Sequence, residues 1–133
     1  MSEARDTITQ ARSVRTAGDS TAAEQLYRRA AELAASEEDD VLRAHALRHV
    51  SDLARERGDS SQALASAEEA VALYRAAPDA RPLDLANALR LTALALEQNG
   101  GKAAEFWREA RDLYARVDVQ AGVDECARHL AAG

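Results

Sequence analysis

The sequence predicts an all-α repeat array, and three observations predict it. The chain repeats itself about every 40 residues: Gly18-Asp19-Ser20 returns as Gly58-Asp59-Ser60. Behind these turns the sets Ala23/Ala63/Ala103, Tyr27/Ala67/Trp107, Ala30/Ala70/Ala110 and Leu33/Leu73/Leu113 return in register. A fixed period in this range marks an array whose units bury their apolar faces only against their neighbours. About a quarter of the residues are Ala, the strongest helix former and one that lets helices approach closely, whereas Val and Ile are too scarce for a sheet-based core. Only Pro78 and Pro82 could interrupt a helix, and they sit together.

The elements follow in order. A first helix over about 3–16 carries a thin apolar stripe, Ile8, Ala11 and Val14, and ends at Gly18, which tolerates the left-handed conformation beyond a helix C-terminus. Ser20 or Thr21 is the expected cap of the second helix, which presents Ala23, Leu26, Tyr27, Ala30 and Leu33 at helical spacing. The acidic run Glu37-Glu38-Asp39-Asp40 lies between helices or opens the third, where negative charge suits a helix N-terminus. The third helix spans about 39–57 and buries Leu47, Val50, Leu53 and Ala54. Gly58 stops it, and Ser60 or Ser61 is the expected cap of a fourth helix reaching about Ala77. The segment 78–82 is the longest loop candidate, with Pro82 in the first turn of the fifth helix, where its missing N–H costs nothing. That helix is apolar nearly all round, through Leu85, Leu89, Leu91, Leu94 and Leu96, and therefore belongs in the middle of the array. Gly100-Gly101 ends it. A sixth helix runs to about Arg116 and a seventh, about 119–131, carries Val119, Val123, Cys126 and Leu130.

The register slips once. Ala88-Leu89-Arg90 matches Ala46-Leu47-Arg48 at an offset of 42, yet Ala103 matches Ala63 at 40. Two residues lost within a packed helix would rotate its buried face by about 200°, so the deletion is placed in the third turn, which is expected to be short.

Small residues five and twelve positions after the Gly, with a large one at nine, resemble the tetratricopeptide repeat. Gly18, Ala23, Tyr27 and Ala30 show the pattern best; the second repeat substitutes Ala67 for the large residue, and the third gives Ala103, Trp107 and Ala110. The apolar–small pairs before the Gly, Val50-Ser51 and Thr92-Ala93, belong to the same pattern, from which Gln10-Ala11 departs. The late Pro of the shorter repeat is missing at Ala35, Arg75 and Ala115, and the period of 40–42 is similar to the longer-helix variant of kinesin light chains. Cys126-Ala127-Arg128-His129-Leu130 matches Ala46 to Val50 at an offset of 80, so the last helix resembles half of a fourth repeat. The resemblance implies a right-handed superhelical array of antiparallel helix pairs in one domain over 1–133. Its repeats cover about 3–37, 39–77 and 82–116, with a capping helix over 119–131.

The resemblance also implies a binding groove lined by the first helix of each repeat, at about 13, 10, 6 and 3 residues before the Gly. Those positions are Arg5, Ile8, Arg12 and Arg15; His45, Arg48, Asp52 and Arg55; Asn87, Arg90, Leu94 and Glu97; and, on the last helix, Glu125 and Arg128. Arg48, Arg90 and Arg128 share one register position and would stand roughly 10 Å apart across successive helices. Arg12, Arg15 and Arg55 extend the basic stripe, Leu94 and Leu91 offer an apolar anchor, and the second helices carry Glu24, Glu32, Glu68, Glu69, Glu105, Glu109 and Asp112 outside it. Guanidinium forks bind carboxylates bidentately, so an acidic peptide or a C-terminal carboxylate is the expected partner. The competing arrangement is internal pairing, such as Arg48 with Asp52 four residues on.

Other function classes lack their residues. A net charge of −6 argues against a nucleic-acid partner. No run approaches a membrane span and no secretory signal is visible, so a cytoplasmic protein is expected; the single Cys126 fits a reducing compartment. His45 and His49 are four apart, a spacing able to chelate a metal. But His49 and His129 occupy one repeat position, which points to packing, and no Glu follows His45 as a zinc protease motif requires. No metal or cofactor is expected. Tyr27 and Trp107 share a core position, and Cys126 falls on an apolar stripe, which suits a buried small side chain better than a nucleophile. No enzymatic constellation is present. The expected function is a non-catalytic interaction module binding a peptide or acidic segment. The alternative is self-association of the array ends into a homodimer, through apolar faces left open by the thin first helix and by the half-repeat.

Overall fold

The computed structural model describes residues 2–133. It has seven α-helices among them: α1 (Glu3–Thr16), α2 (Ser20–Ser36), α3 (Asp40–Glu56), α4 (Ser60–Ala76), α5 (Pro82–Gln98), α6 (Ala104–Arg116) and α7 (Gln120–Ala132). Each helix packs on the next, and the connections within and between pairs are three to five residues long, which makes neighbours antiparallel. In addition α1 touches α3 and α3 touches α5. The first helices of the pairs thus crowd together and line the inner, concave side.

The turns recur because one hydrogen-bond scheme recurs. Gly18 and Gly58 take φ values of +96° and +88°, and the residue after each sends its N–H back to the helix just finished: Asp19 to the Val14 carbonyl, Asp59 to that of Ala54. Between α2 and α3, and between α6 and α7, the same turn is made without glycine. Glu38 and Asp118 adopt φ values of 57° and 59°, with Asp39 bonded to Ala34 and Val119 to Tyr114. The acidic run is therefore a turn whose last member opens α3.

The expected serine and threonine caps are corrected. Asp19 and Asp59 cap α2 and α4, their carboxylates accepting at 3.0 Å from the N–H groups of Ala22 and Gln62, as Asp39 accepts from Leu42 at 3.1 Å. Asp19 and Asp59 keep non-helical dihedrals, whereas Ser20 and Ser60 are already helical. A carboxylate at that place also complements the helix dipole.

The third turn is corrected too. It is the longer kind: Asn99 to Ala103 separate α5 from α6, as many residues as the Ala77–Arg81 connection. The two-residue deletion is absorbed by leaving the first turn of α6 unwound. A helical residue advances only about 1.5 Å, so outside the helix the three steps from Gly100 to Ala103 replace the five from Gly58 to Ala63. The consequence is a 13-residue helix with no side-chain cap, where α2 and α4 have 17 residues and an Asp cap.

One core runs the length of the array. It joins Ala4, Ile8 and Ala11 of α1 to Trp107, Leu113, Tyr114 and Cys126 at the far end. Alanine dominates the contacts between helices, and α5 sits centrally with Leu89 and Leu91 buried and Leu85, Leu94 and Leu96 half-buried. At the last interface Gly122 lies directly under the ring of Tyr114: a Cβ there would stand 2.5 Å from the ring. The ring's near edge cannot swing away as a flexible chain end would, so Gly122→Ala should destabilise by about 1–3 kcal/mol. Urea denaturation followed by circular dichroism reads this, and a loss under about 0.5 kcal/mol would mean that α7 shifts freely.

Candidate functional site: the concave face

The inner face brings the expected stripe together only in part. Arg15 of α1 reaches across to α3, donating to Asp52 at 2.9 Å and Glu56 at 2.8 Å. Arg55 donates to the other Asp52 oxygen at 2.6 Å. Asp52 therefore holds two guanidinium groups, which keep its carboxyl below the usual range despite burial, and the pairing expected with Arg48 does not form. Arg90 of α5 is gripped by Glu125 of α7 through two contacts, so one carboxylate of the chain already fills that fork. Arg12 and Arg128 stand exposed, with no ion pair among the described residues. Ile8 is not a groove residue: it is 4% exposed and belongs to the core, and every exposed residue of α1 is polar. The thin first helix therefore leaves no open apolar face.

Arg48 differs from its neighbours. Its Nη2 donates to His45 Nδ1 at 2.8 Å, its guanidinium carbon lies 5.9 Å from the centre of the Tyr74 ring, and its Nε–H is buried without a partner. It lines a recess of about 170 Å³ between α3 and α5, with His49, Asp52, Asn87, Arg90 and Leu91. Leu94 lies off this recess, half-buried against the core. Asn87 accepts from the Tyr114 hydroxyl at 2.6 Å.

A second recess, about 390 Å³, opens at the N-terminal ends of α3 and α5. Val41, Leu42, His45 and Tyr74 form its walls, Arg5, Asp39 and Asp79 contribute charge, and Arg81 holds Asp84 beside them. Tyr74 was not among the expected site residues. The signal available was its recurrence as Tyr114 at the 40-residue period.

The histidines are structural. His49 stacks on Tyr27 (centroids 4.5 Å, planes 8° apart), and His129 stacks on Trp107 (4.1 Å, 16°). A repeat position that pairs His with an aromatic side chain thus appears twice. Where Ala67 replaces the aromatic residue, Leu91 replaces the histidine. His45 meets His49 edge-on at 5.0 Å. Burial, with help from the Arg48 charge, holds both rings neutral, His45 down at about 4 and His49 at about 3. Burial also pushes the Cys126 thiol up to about 11, which keeps it an unreactive packing group. Trp107 donates its Nε1–H to Glu97 at 2.9 Å, and the same carboxylate contacts His129.

The outer side is laced by ion pairs. Glu24 of α2 accepts from Arg28 of the same helix and from Arg57 at the end of α3, and Arg75 of α4 grips Glu109 of α6 with two bonds of 2.8 Å. The convex carboxylates are thus partly neutralised by arginines of their own side. No helix among the described residues is long and apolar enough to cross a membrane.

A family model described as Tetratricopeptide repeat matches residues 4–76, which is α1 to α4 and more than half of the chain. No curated protein matches it significantly. Tetratricopeptide repeats are generally protein–protein interaction modules and typically non-enzymatic scaffolds. The matched helix pairs, their continuation through α5, α6 and α7, and the shared turn chemistry lead to one statement: this chain belongs to the tetratricopeptide repeat family.

Proposed function

We propose that the chain is a non-catalytic interaction module that takes an acidic segment, extended or helical, on its concave face, with Arg48 at the centre of the contact. The observation that carries this reading is the state of Arg48. Arg15, Arg55 and Arg90 each meet a carboxylate of the chain, but Arg48 meets none among the described residues; an unpaired buried Nε–H it shares with Arg55. A carboxylate arriving beside Asn87 and Leu91 satisfies it, and Arg12 and Arg128 steer acidic chains toward the face. His45 and Asp52 flank that contact, Arg55 holds Asp52 beside it, and Arg90 joins it by exchanging Glu125 for the ligand.

The test is fluorescence anisotropy with a labelled Glu-rich peptide at low and high salt. Arg48→Glu should weaken binding about tenfold or more, and adding Arg90→Glu should abolish it. Arg116→Glu, at the end of α6, should leave it unchanged. Binding that survives the double reversal defeats the proposal. So does binding that Arg116→Glu weakens as much, since the attraction would then be diffuse.

A further inference from the structure

We infer that the larger recess, the one walled by Tyr74 and His45, is a subsite for a carboxamide: the side chain of an Asn or Gln, or a backbone amide, of the segment bound in the groove. The inference rests on the groove reading and adds what that reading lacks, a neutral and directional point of recognition.

The first observation is Tyr74. It is 3% exposed, yet its hydroxyl proton has no acceptor, since the Arg48 guanidinium beside it can only donate. A buried hydroxyl left unpaired costs stability and is rare without a reason. The second observation is the chain's own answer to the same problem one repeat later. Tyr114 occupies the matching place, 40 residues on, and its hydroxyl donates at 2.6 Å to the side-chain carboxamide oxygen of Asn87. The position matching Asn87 in the earlier repeat is His45, at the offset of 42 that separates α3 from α5. His45 cannot serve Tyr74 in that way. Arg48 is a donor only, so its bond to Nδ1 places the ring's proton on Nε2 and leaves His45 a donor as well. One repeat therefore holds a tyrosine with its carboxamide. The other holds a tyrosine and a histidine, both donors, on the wall of an open recess.

The charges around the recess select the neutral group. Arg81 is spent on Asp84, and one oxygen of Asp39 is spent on the Leu42 N–H. What remains is Arg5, with Arg48 behind the His45–Tyr74 wall, against Asp39 and Asp79. A carboxylate would satisfy the two donors but bring Asp39 and Asp79 a third acceptor and no donor. An ammonium would satisfy the acids but leave both donors unpaired. A carboxamide does both: its oxygen accepts from Tyr74 and His45, and its N–H groups donate to Asp79 or Asp39.

The experiment uses three near-isosteric probes, butyramide, butyrate and butylammonium, titrated to about 100 mM because ligands this small bind in the millimolar range at best. Ring resonances of Tyr74 and His45 in the full chain are followed by NMR. Butyramide should give saturable shifts at both rings, and the other two should not. N-methylbutyramide separates the sources: equal binding marks a backbone amide, and loss of binding marks a primary, side-chain amide. Tyr74→Phe should weaken butyramide at least about fivefold while leaving the melting temperature unchanged or higher, because it removes an unpaired buried hydroxyl. That combination separates binding from folding. Saturation by butyrate or butylammonium instead, no saturation by any probe, or a Tyr74→Phe variant that binds as before overturns the inference. Because the probes read this recess and the Glu-rich peptide reads Arg48, either proposal can fail while the other stands.

Discussion

Replacing Trp107 with Ala is expected to cost about 3–5 kcal/mol and to release α7 before the rest of the array unfolds. The indole is 1% exposed and is the largest fully buried side chain. Its removal opens a cavity at the α6–α7 contact, strips His129 of its stacking surface, and leaves Glu97 without the indole N–H it accepts at 2.9 Å. Within the array α7 is held from one side, through α6 and through the Arg90–Glu125 and Glu97–His129 contacts with α5, and the last of these also weakens when the indole goes. Trp107→Phe keeps an aromatic ring and loses the hydrogen bond, so it should cost much less. Urea titration followed by circular dichroism measures the total, and hydrogen exchange locates it: amides of α7 should lose protection first. A loss below about 1 kcal/mol, or uniform loss of protection along the chain, would show that α7 does not depend on the indole.

Stability should fall between pH 7.5 and pH 5. His45 and His49 are held at about 4 and 3 in the folded chain, against an ordinary value of 6.5. The folded state therefore refuses protons that the unfolded state accepts. This contribution is complete above pH 6.5, declines as pH drops through 6.5, and stops declining only when the folded rings protonate near 4 and 3. For two partly screened rings, the loss by pH 5 is about 2–4 kcal/mol in total. The carboxylates of Asp52 and Glu24, lowered in the folded chain, stabilise it at higher pH and lose that effect only below their ordinary range. They do not account for a change above pH 5. His49→Phe keeps a ring against Tyr27 and removes one titration, so its stability should depend on pH only about half as steeply. Denaturant midpoints that stay level from pH 7.5 to 5 in the parent chain would mean that the rings protonate in place.

The arginine stripe shows where sequence reading reaches its end. Register correctly aligned Arg48, Arg90 and Arg128 on matching turns of α3, α5 and α7. It did not reveal that Glu125 had claimed Arg90, or that Asp52 belonged to Arg15 and Arg55 rather than to Arg48. Those partners lie 35 and 37 residues apart in the cross-helix cases, and their meeting depends on how one helix pair leans on the next. Ile8 failed as a groove residue for the same reason: α1 is rolled so that its stripe faces the core. Tyr74 was passed over because a tyrosine at helical spacing reads as packing, and only the absence of a partner for its hydroxyl marks it out.

By itself the sequence determined the helices, their ends to within a residue or two, the family, and the packing roles of Tyr27, Trp107, His49, His129 and Cys126. These follow from propensity, glycine punctuation and a period that repeats along one chain, all of which are local or nearest-neighbour properties. Tertiary structure alone decided which charges neutralise one another, how α6 absorbed its deletion by unwinding a turn, and which buried donors were left over. Those outcomes depend on distances of a few ångströms between helices some forty residues apart, and no periodicity in the chain encodes them.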